Sequence, residues 1–215
     1  MTAEGASERP VPLFFLSYAH SHPPPNATPR ARNRHVLRFF DDLSENVAEL
    51  VSRPAGADPG FMDQNLVTGD DWFAELMRNV GTCQVFVALL SGPYATCQTC
   101  ALEWDAFTRR ALKAGVSPPP VLPVVWAPYP DDLVPAAIHR VQRFSPSGLP
   151  NADIVARYEK LGVLGLMQGR RGPAYYAVVW RLAQSIADLH HRGQPMDSCI
   201  YRSEELRDVF QEDPE

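Results

Sequence analysis

The run Cys83-Gln84-Val85-Phe86-Val87-Ala88-Leu89-Leu90 constrains this chain more than any other stretch. It is rich in Val and Phe and is stopped by Ser91-Gly92-Pro93, which is the pattern of a strand and too short for a helix of the same apolarity. Leu13-Phe14-Phe15-Leu16-Ser17 has the same unbroken character between Pro12 and a polar stretch. Strands with no alternation of polar and apolar residues are covered on both faces, as in a parallel sheet. Gly60-Phe61-Met62-Asp63 and Val121-Leu122-Pro123-Val124-Val125 supply two more, and Val141–Phe144 a short fifth.

Between these runs the period changes to that of helices. Val36, Phe40, Leu43, Val47 and Leu50 form a stripe over residues 33–51, which Pro54 and Gly56 terminate. Thr68-Gly69-Asp70-Asp71 reads as an N-terminal cap for a helix carrying Trp72, Phe73, Leu76, Met77 and Val80. A third helix spans about Cys97 to Ala114, with Trp104, Phe107 and Ala111 on one side, and ends before Pro118-Pro119-Pro120. Gly172-Pro173 opens the last, with Tyr175, Val179, Leu182, Ile186 and Leu189 as its stripe. His190, His191 and Arg192 suit the negative end of its dipole, and Gly193 and Pro195 close it.

Strict alternation of doubly buried strands with helices predicts an α/β chain: a flavodoxin-like, doubly wound parallel sheet of four to five strands with helices on both faces. One domain over residues 11–192 suffices, with a loose tail at 1–10 and an acidic, peripheral one at 193–215. The chain has 215 residues, 45% of them hydrophobic, enough to bury a core. Its 20 Lys and Arg against 25 Asp and Glu leave a net charge of -5, which argues against a nucleic-acid partner and against a polybasic membrane anchor. No apolar run approaches the ~20 residues that span a bilayer. Four cysteines are too few for a secreted disulfide scaffold, so a reducing cytoplasm is the expected setting. Proline, at 21 residues, is clustered in loops, above all in 21–32 and 127–150. No role is legible for residues 127–170.

In a doubly wound sheet, ligands bind beyond the carboxyl ends of the strands, where the strand order reverses. With an order of 2-1-3-4-5, the residues there are Ser17-Tyr18-Ala19-His20, Ser91-Gly92-Pro93-Tyr94 and Glu103 on the following helix. There is no Gly-x-Gly-x-x-Gly and no P-loop, which disfavours a dehydrogenase or an NTPase. Ser17 and Ser91 lack the Gly-x-Ser-x-Gly setting of a hydrolase nucleophile. Asp63 ends a strand, but without the acidic pair that would hold Mg²⁺. Cys97-x-x-Cys100 has the spacing of half a zinc site or of a redox pair; no second Cys/His pair stands at ligand spacing, so no metal is expected. Trp72 and Trp104 lie on helical stripes and read as core.

Three ordered boxes carry a family resemblance. Phe14-Phe15-Leu16-Ser17-Tyr18-Ala19-His20 resembles the opening box of a Toll/interleukin-1 receptor (TIR) domain. Phe61-Met62-Asp63, with Leu66, Gly69 and Trp72 behind it, resembles the second strand and BB loop of that family. Val85–Tyr94 followed by Cys100-Ala101-Leu102-Glu103-Trp104 is similar to its apolar strand, Ser-Pro-x-Tyr and Cys-x-x-Glu. The spacing also resembles a bacterial TIR-like subgroup, the FxsC proteins found beside radical-SAM peptide maturases. Thr99 stands where the family has Trp, Gly92 separates Ser91 from Pro93, and the loop 21–32 is long.

The resemblance implies either cleavage of NAD⁺ at the nicotinamide–ribose bond or a non-catalytic signalling module that serves a pathway partner. For the first, Glu103 matches the catalytic glutamate, and Ser17, Tyr18, His20, Ser91, Tyr94 and Cys100 are expected to line the substrate pocket, with NAD⁺ as substrate and no cofactor. Nicotinamide in NAD⁺ is already a cationic leaving group, so one carboxylate that holds ribose hydroxyls and stabilises an oxocarbenium-like transition state is sufficient chemistry. The competing reading makes Glu103 a solvated helix residue. Self-association with other TIR domains is implied through the BB loop, here Gln64, Asn65, Leu66, Val67, Thr68 and Gly69.

Overall fold

A computed structural model describes residues 11–20, 33–54, 57–64, 70–149, 151–169, 171–193 and 196–211. Its strands are β1 (Phe14–Ser17), β2 (Gly60–Met62), β3 (Val85–Leu90) and β4 (Val121–Val125). They form one sheet in the order β2-β1-β3-β4, with every neighbouring pair parallel. The long helices are α1 (Arg34–Leu50), α2 (Asp70–Val80), α3 (Gln98–Lys113), α4 (Ala152–Gln168) and α5 (Pro173–Arg192). The expected α/β, flavodoxin-like fold is the one observed.

Alternation along the central strands assigns the two faces. Phe14, Leu16, Val85, Val87 and Leu89 pack with the stripes of α1, α4 and α5. Phe15, Phe86, Ala88 and Leu90 pack with α2, α3 and the C-terminal segment. Every residue of β1 and β3 is buried, which is why neither strand alternates in sequence. Three phenylalanines stack across the sheet: Phe15 lies 5.8 Å from Phe61 and 5.6 Å from Phe86. Burying one such ring is worth about 1.5–3 kcal/mol, so this ladder is a large part of what holds β2, β1 and β3 in register.

The expected fifth strand at Val141–Phe144 is not formed. A single bond, Phe144 N–H to the Pro123 carbonyl at 2.9 Å, joins that segment to the outer edge of β4. The edge is finished instead by α4, a helix that residues 127–170 concealed. The Tyr158 hydroxyl accepts from Val125 N–H at 2.9 Å, and Leu164 N–H donates to the Trp126 carbonyl at 2.9 Å. α4 breaks at Gly162, whose φ of 62° and ψ of 178° are not helical. The break admits the Trp126 carbonyl, which a Cβ on residue 162 would meet at 2.5 Å. A proline within β4 is tolerated because the strand lies at an edge.

Residues 196–211, read from composition as peripheral, are packed onto the second face. Met196, Leu206 and Phe210 are buried in its core, and the Phe210 ring lies 5.6 Å from Tyr94 and 6.0 Å from Trp104. Arg110, on α3, is 2% exposed and binds this segment to the body of the fold. Its guanidinium donates to the carbonyls of Asp197 (2.8 Å), Met196 (3.1 Å), Cys83 (2.7 Å) and Val80 (3.2 Å). Acidic composition misleads because the charges point outward while four or five spaced apolar side chains point in. Among the described residues, no helix is long and apolar enough to cross a membrane.

Candidate functional site

The strand order turns at β1 and β3, and the site is built beyond the carboxyl end of β1. Ser17 is the last residue of β1, and alternation puts it on the same face as Phe15, towards α3. There its hydroxyl donates to Glu103 Oε2 and lies 3.0 Å from the Tyr94 hydroxyl. Since the Ser17 proton is used on the carboxyl, the Tyr94 hydroxyl donates to Ser17, and the three form a relay ending on Glu103. Glu103 follows Cys100 by one turn on the sheet-facing side of α3 and is 5% exposed, so it is no solvated surface residue. Burial pushes its carboxyl well above the usual carboxylate range, Cys97 and Asp63 add to the rise, and the Ser17 hydroxyl opposes it.

Tyr18 turns to the opposite face, towards α1. Its hydroxyl donates to the Asp63 carbonyl at 2.5 Å and accepts from the Asn33 amide at 3.2 Å. Burial, then the charges of Asp63 and Glu103, hold it protonated far above the ordinary phenol range. His20 is anchored from both ring nitrogens: Nδ1 lies 3.1 Å from the Asn33 amide and Nε2 lies 3.4 Å from Asp63 Oδ2. The same Asp63 oxygen accepts from the Trp72 indole at 2.9 Å. Asp63 therefore ties the ends of β1 and β2 to the start of α2.

The third wall is the start of α3. Cys97 is its N-cap, with an extended backbone, and its sulfur accepts from Cys100 N–H at 3.4 Å. The Cys100 thiol also hydrogen-bonds the Cys97 sulfur, and this, together with that N–H and with His20, outweighs burial and brings the Cys97 thiol down to about 6. Burial drives Cys100 the other way.

A cavity of about 490 Å³ lies between these walls, lined by Tyr18, His20, Asp63, Trp72, Cys97 and Glu103, together with Leu16, Ala19, Pro93, Thr96 and Thr99. Of the residues expected to line it, Tyr18, His20 and Glu103 do. Ser17, Tyr94 and Cys100 stand one layer behind, supporting Glu103 and Cys97. Ser91 is not in the wall; its side chain accepts from Tyr94 N–H at 3.3 Å and caps the single turn Gly92–Ala95. Thr99, which stands where the family has Trp, and Pro93, set one residue on by Gly92, both face the cavity. Trp72, read from its stripe as core, instead stands in the wall, and Asp63 and Cys97, weighed only as metal or redox residues, stand there too, although Asp63 had the signal of a polar residue ending a parallel strand. Of the loop expected to mediate self-association, Gln64 is exposed and residues 65–69 lie outside the described residues. The loop 21–32 lies outside them as well.

Searches of curated proteins and of solved structures each return no match. A family model described as TIR domain matches residues 14–160, more than half of the chain. That match starts at β1 and runs through β4 into α4, and so takes in the whole sheet and every wall of the cavity. With a four-stranded parallel sheet in the order 2-1-3-4 and the Ser-Tyr and Cys-x-x-Glu boxes meeting at its carboxyl edge, this chain belongs to the TIR-domain family.

Proposed function

We propose that this TIR domain cleaves NAD⁺ at the bond between nicotinamide and ribose, with Glu103 as the catalytic residue. The observation that carries the reading is a carboxyl group sunk in the wall of a 490 Å³ cavity, in hydrogen-bond contact with Ser17. Burial by itself favours the neutral acid. A nicotinamide cation entering the cavity reverses that preference, because a fixed positive charge beside a buried carboxyl stabilises its ionised form. The Ser17 hydroxyl, itself held by the Tyr94 hydroxyl, then donates to the carboxylate. The carboxylate binds ribose hydroxyls and offsets the positive charge that develops on the anomeric carbon as the glycosidic bond breaks. Water adds to that carbon, nicotinamide leaves neutral, and one proton is released with ADP-ribose; attack by a group of the same nucleotide gives a cyclic product instead. Trp72 and Tyr18 offer aromatic surface to a flat ring, and His20 a polar contact.

A second reading, a TIR module that binds a pathway partner without turnover, is favoured by Thr99, which stands in the wall where the family has Trp, and by the length of the loop 21–32 in the sequence. One experiment separates the two: nicotinamide released from NAD⁺ by the full chain, dilute and concentrated, beside Glu103→Gln. The catalytic reading expects release that the variant reduces at least ~100-fold, the scale of losing one transition-state contact. Equal turnover by the variant removes Glu103 from its role, and no release at any concentration leaves the binding module.

A further inference from the structure

Cys97 and Cys100 fulfil no role in the reaction proposed above, yet they are the most chemically distinctive pair in the fold. Cys97 lines the cavity, and Cys100, 1% exposed, lies directly behind it. The two are held together at the first turn of a 16-residue helix, with the Cys97 sulfur accepting from Cys100 N–H at 3.4 Å. Residues three apart on a helical turn have Cβ atoms about 5–6 Å apart, and a disulfide needs about 3.5–4.5 Å. Cys97 is an N-cap with extended backbone, so it can make up that difference without breaking a helical turn. The other two thiols are placed differently. Cys83 is fully buried under Arg110 and pushed up to about 12, chiefly by burial. Cys199 lies 3.9 Å from the Lys113 ammonium, near the C-terminal end of α3 rather than at its start.

We propose that Cys97 and Cys100 form a reversible dithiol–disulfide pair in the cavity wall, with a low-molecular-weight disulfide as its reaction partner. The Cys97 thiolate attacks one sulfur of that disulfide, forming a mixed disulfide and expelling a thiolate. Cys100 then gives up its proton and its sulfur attacks Cys97 Sγ; the mixed bond breaks, a second thiolate leaves, and the Cys97–Cys100 bond is made. Two protein thiols are oxidised and one small disulfide is reduced to two thiols, with both protons passing to the released thiolates. The order of attack follows from access: Cys97 faces the cavity and Cys100 does not. The titratable neighbours of the attacking sulfur are His20 across the cavity, Cys100 behind it, Tyr94, and Glu103 one turn beyond Cys100. That the Cys100 side chain, and to a lesser degree His20, bring the Cys97 thiol down to about 6 supports the same order. Closure removes a negative charge from the wall beside Glu103 and ties down the turn that precedes it; only the consequence for NAD⁺ turnover rests on the reading of the previous subsection.

The test equilibrates the native full chain with oxidised and reduced glutathione at graded ratios, quenches with acid, then unfolds the chain, blocks free thiols and maps them by mass spectrometry. Expected are the loss of two hydrogens from a peptide in which Cys97 and Cys100 are both unblocked, restoration by dithiothreitol, and Cys83 and Cys199 blocked throughout. Cys100→Ser should accumulate glutathione on Cys97, and Cys97→Ser should leave Cys100 free. A separate alkylation rate for Cys97, half-maximal near pH 6 in the folded protein and in the ordinary thiol range in urea, reports the thiolate directly. The proposal is overturned if both thiols stay blockable at millimolar oxidised glutathione, or if the wild type keeps glutathione on Cys97 without closing the bond. Neither readout involves NAD⁺, so failure here is distinct from failure of the catalytic reading.

Discussion

At the scale of single residues, the site depends on a carboxyl whose proton affinity is set by two opposed effects. Burial favours the neutral acid, and the Ser17 hydroxyl favours the anion. Removing the hydroxyl with Ser17→Ala leaves burial unopposed and raises the proton affinity of Glu103 further. The pH profile of kcat/KM reports groups of the free enzyme, so its acid limb should move to higher pH in the variant. A limb that stays in place would mean that Ser17 only packs. The same carboxyl makes a statement about stability. Its folded-state proton affinity exceeds that of the unfolded chain, so its contribution is full below the unfolded value, near 4.3, and is lost as pH rises through the folded one. Glu103→Gln has no proton to lose. Its Tm relative to wild type should therefore climb as pH rises above about 4.3, even as its turnover falls; calorimetry against pH is the check, and a constant difference would show that Glu103 does not retain its proton.

At the scale of elements, what the sequence disclosed and what it concealed have physical reasons. β1 and β3 were legible because strands buried on both faces show no alternation of polar and apolar residues, and Glu103 follows into the cavity wall from α3, since one turn separates it from Cys100. α4 was concealed by composition. Its apolar residues serve two short half-helices rather than one stripe, because Gly162 interrupts the turn to let the Trp126 carbonyl in. Cys97 escaped assignment because its role comes from where the helix begins, and Asp63 because its partners, His20 and Trp72, come from β1 and α2. The break at Gly162 has a measurable counterpart. Alanine there takes on a positive φ and drives a methyl group against a backbone carbonyl that cannot retreat without moving β4. Gly162→Ala should cost about 2–4 kcal/mol in denaturant unfolding, the sum of a strained backbone and a displaced edge. A loss under ~1 kcal/mol would mean that α4 re-forms as one straight helix.

At the scale of the whole molecule, the cavity lies close to an exposed edge of the sheet. Asp63 and Trp72 both stand in its wall. β2, which ends just before Asp63, pairs with β1 alone among the described residues and so presents its outer edge. A neighbouring copy that packs on this margin would press on Asp63 and Trp72, and through Asp63 on His20 and Tyr18, without touching Glu103. Such packing excludes water from the mouth of the cavity, which strengthens every electrostatic contact inside it. Nicotinamide release per protein molecule should consequently rise with protein concentration, so that the total rate grows faster than linearly until the chain is fully assembled. Light scattering on the same samples should show mass increasing over the same range. A rate strictly proportional to concentration, in samples whose mass doubles, would show that each domain completes its own site and that association serves some other end.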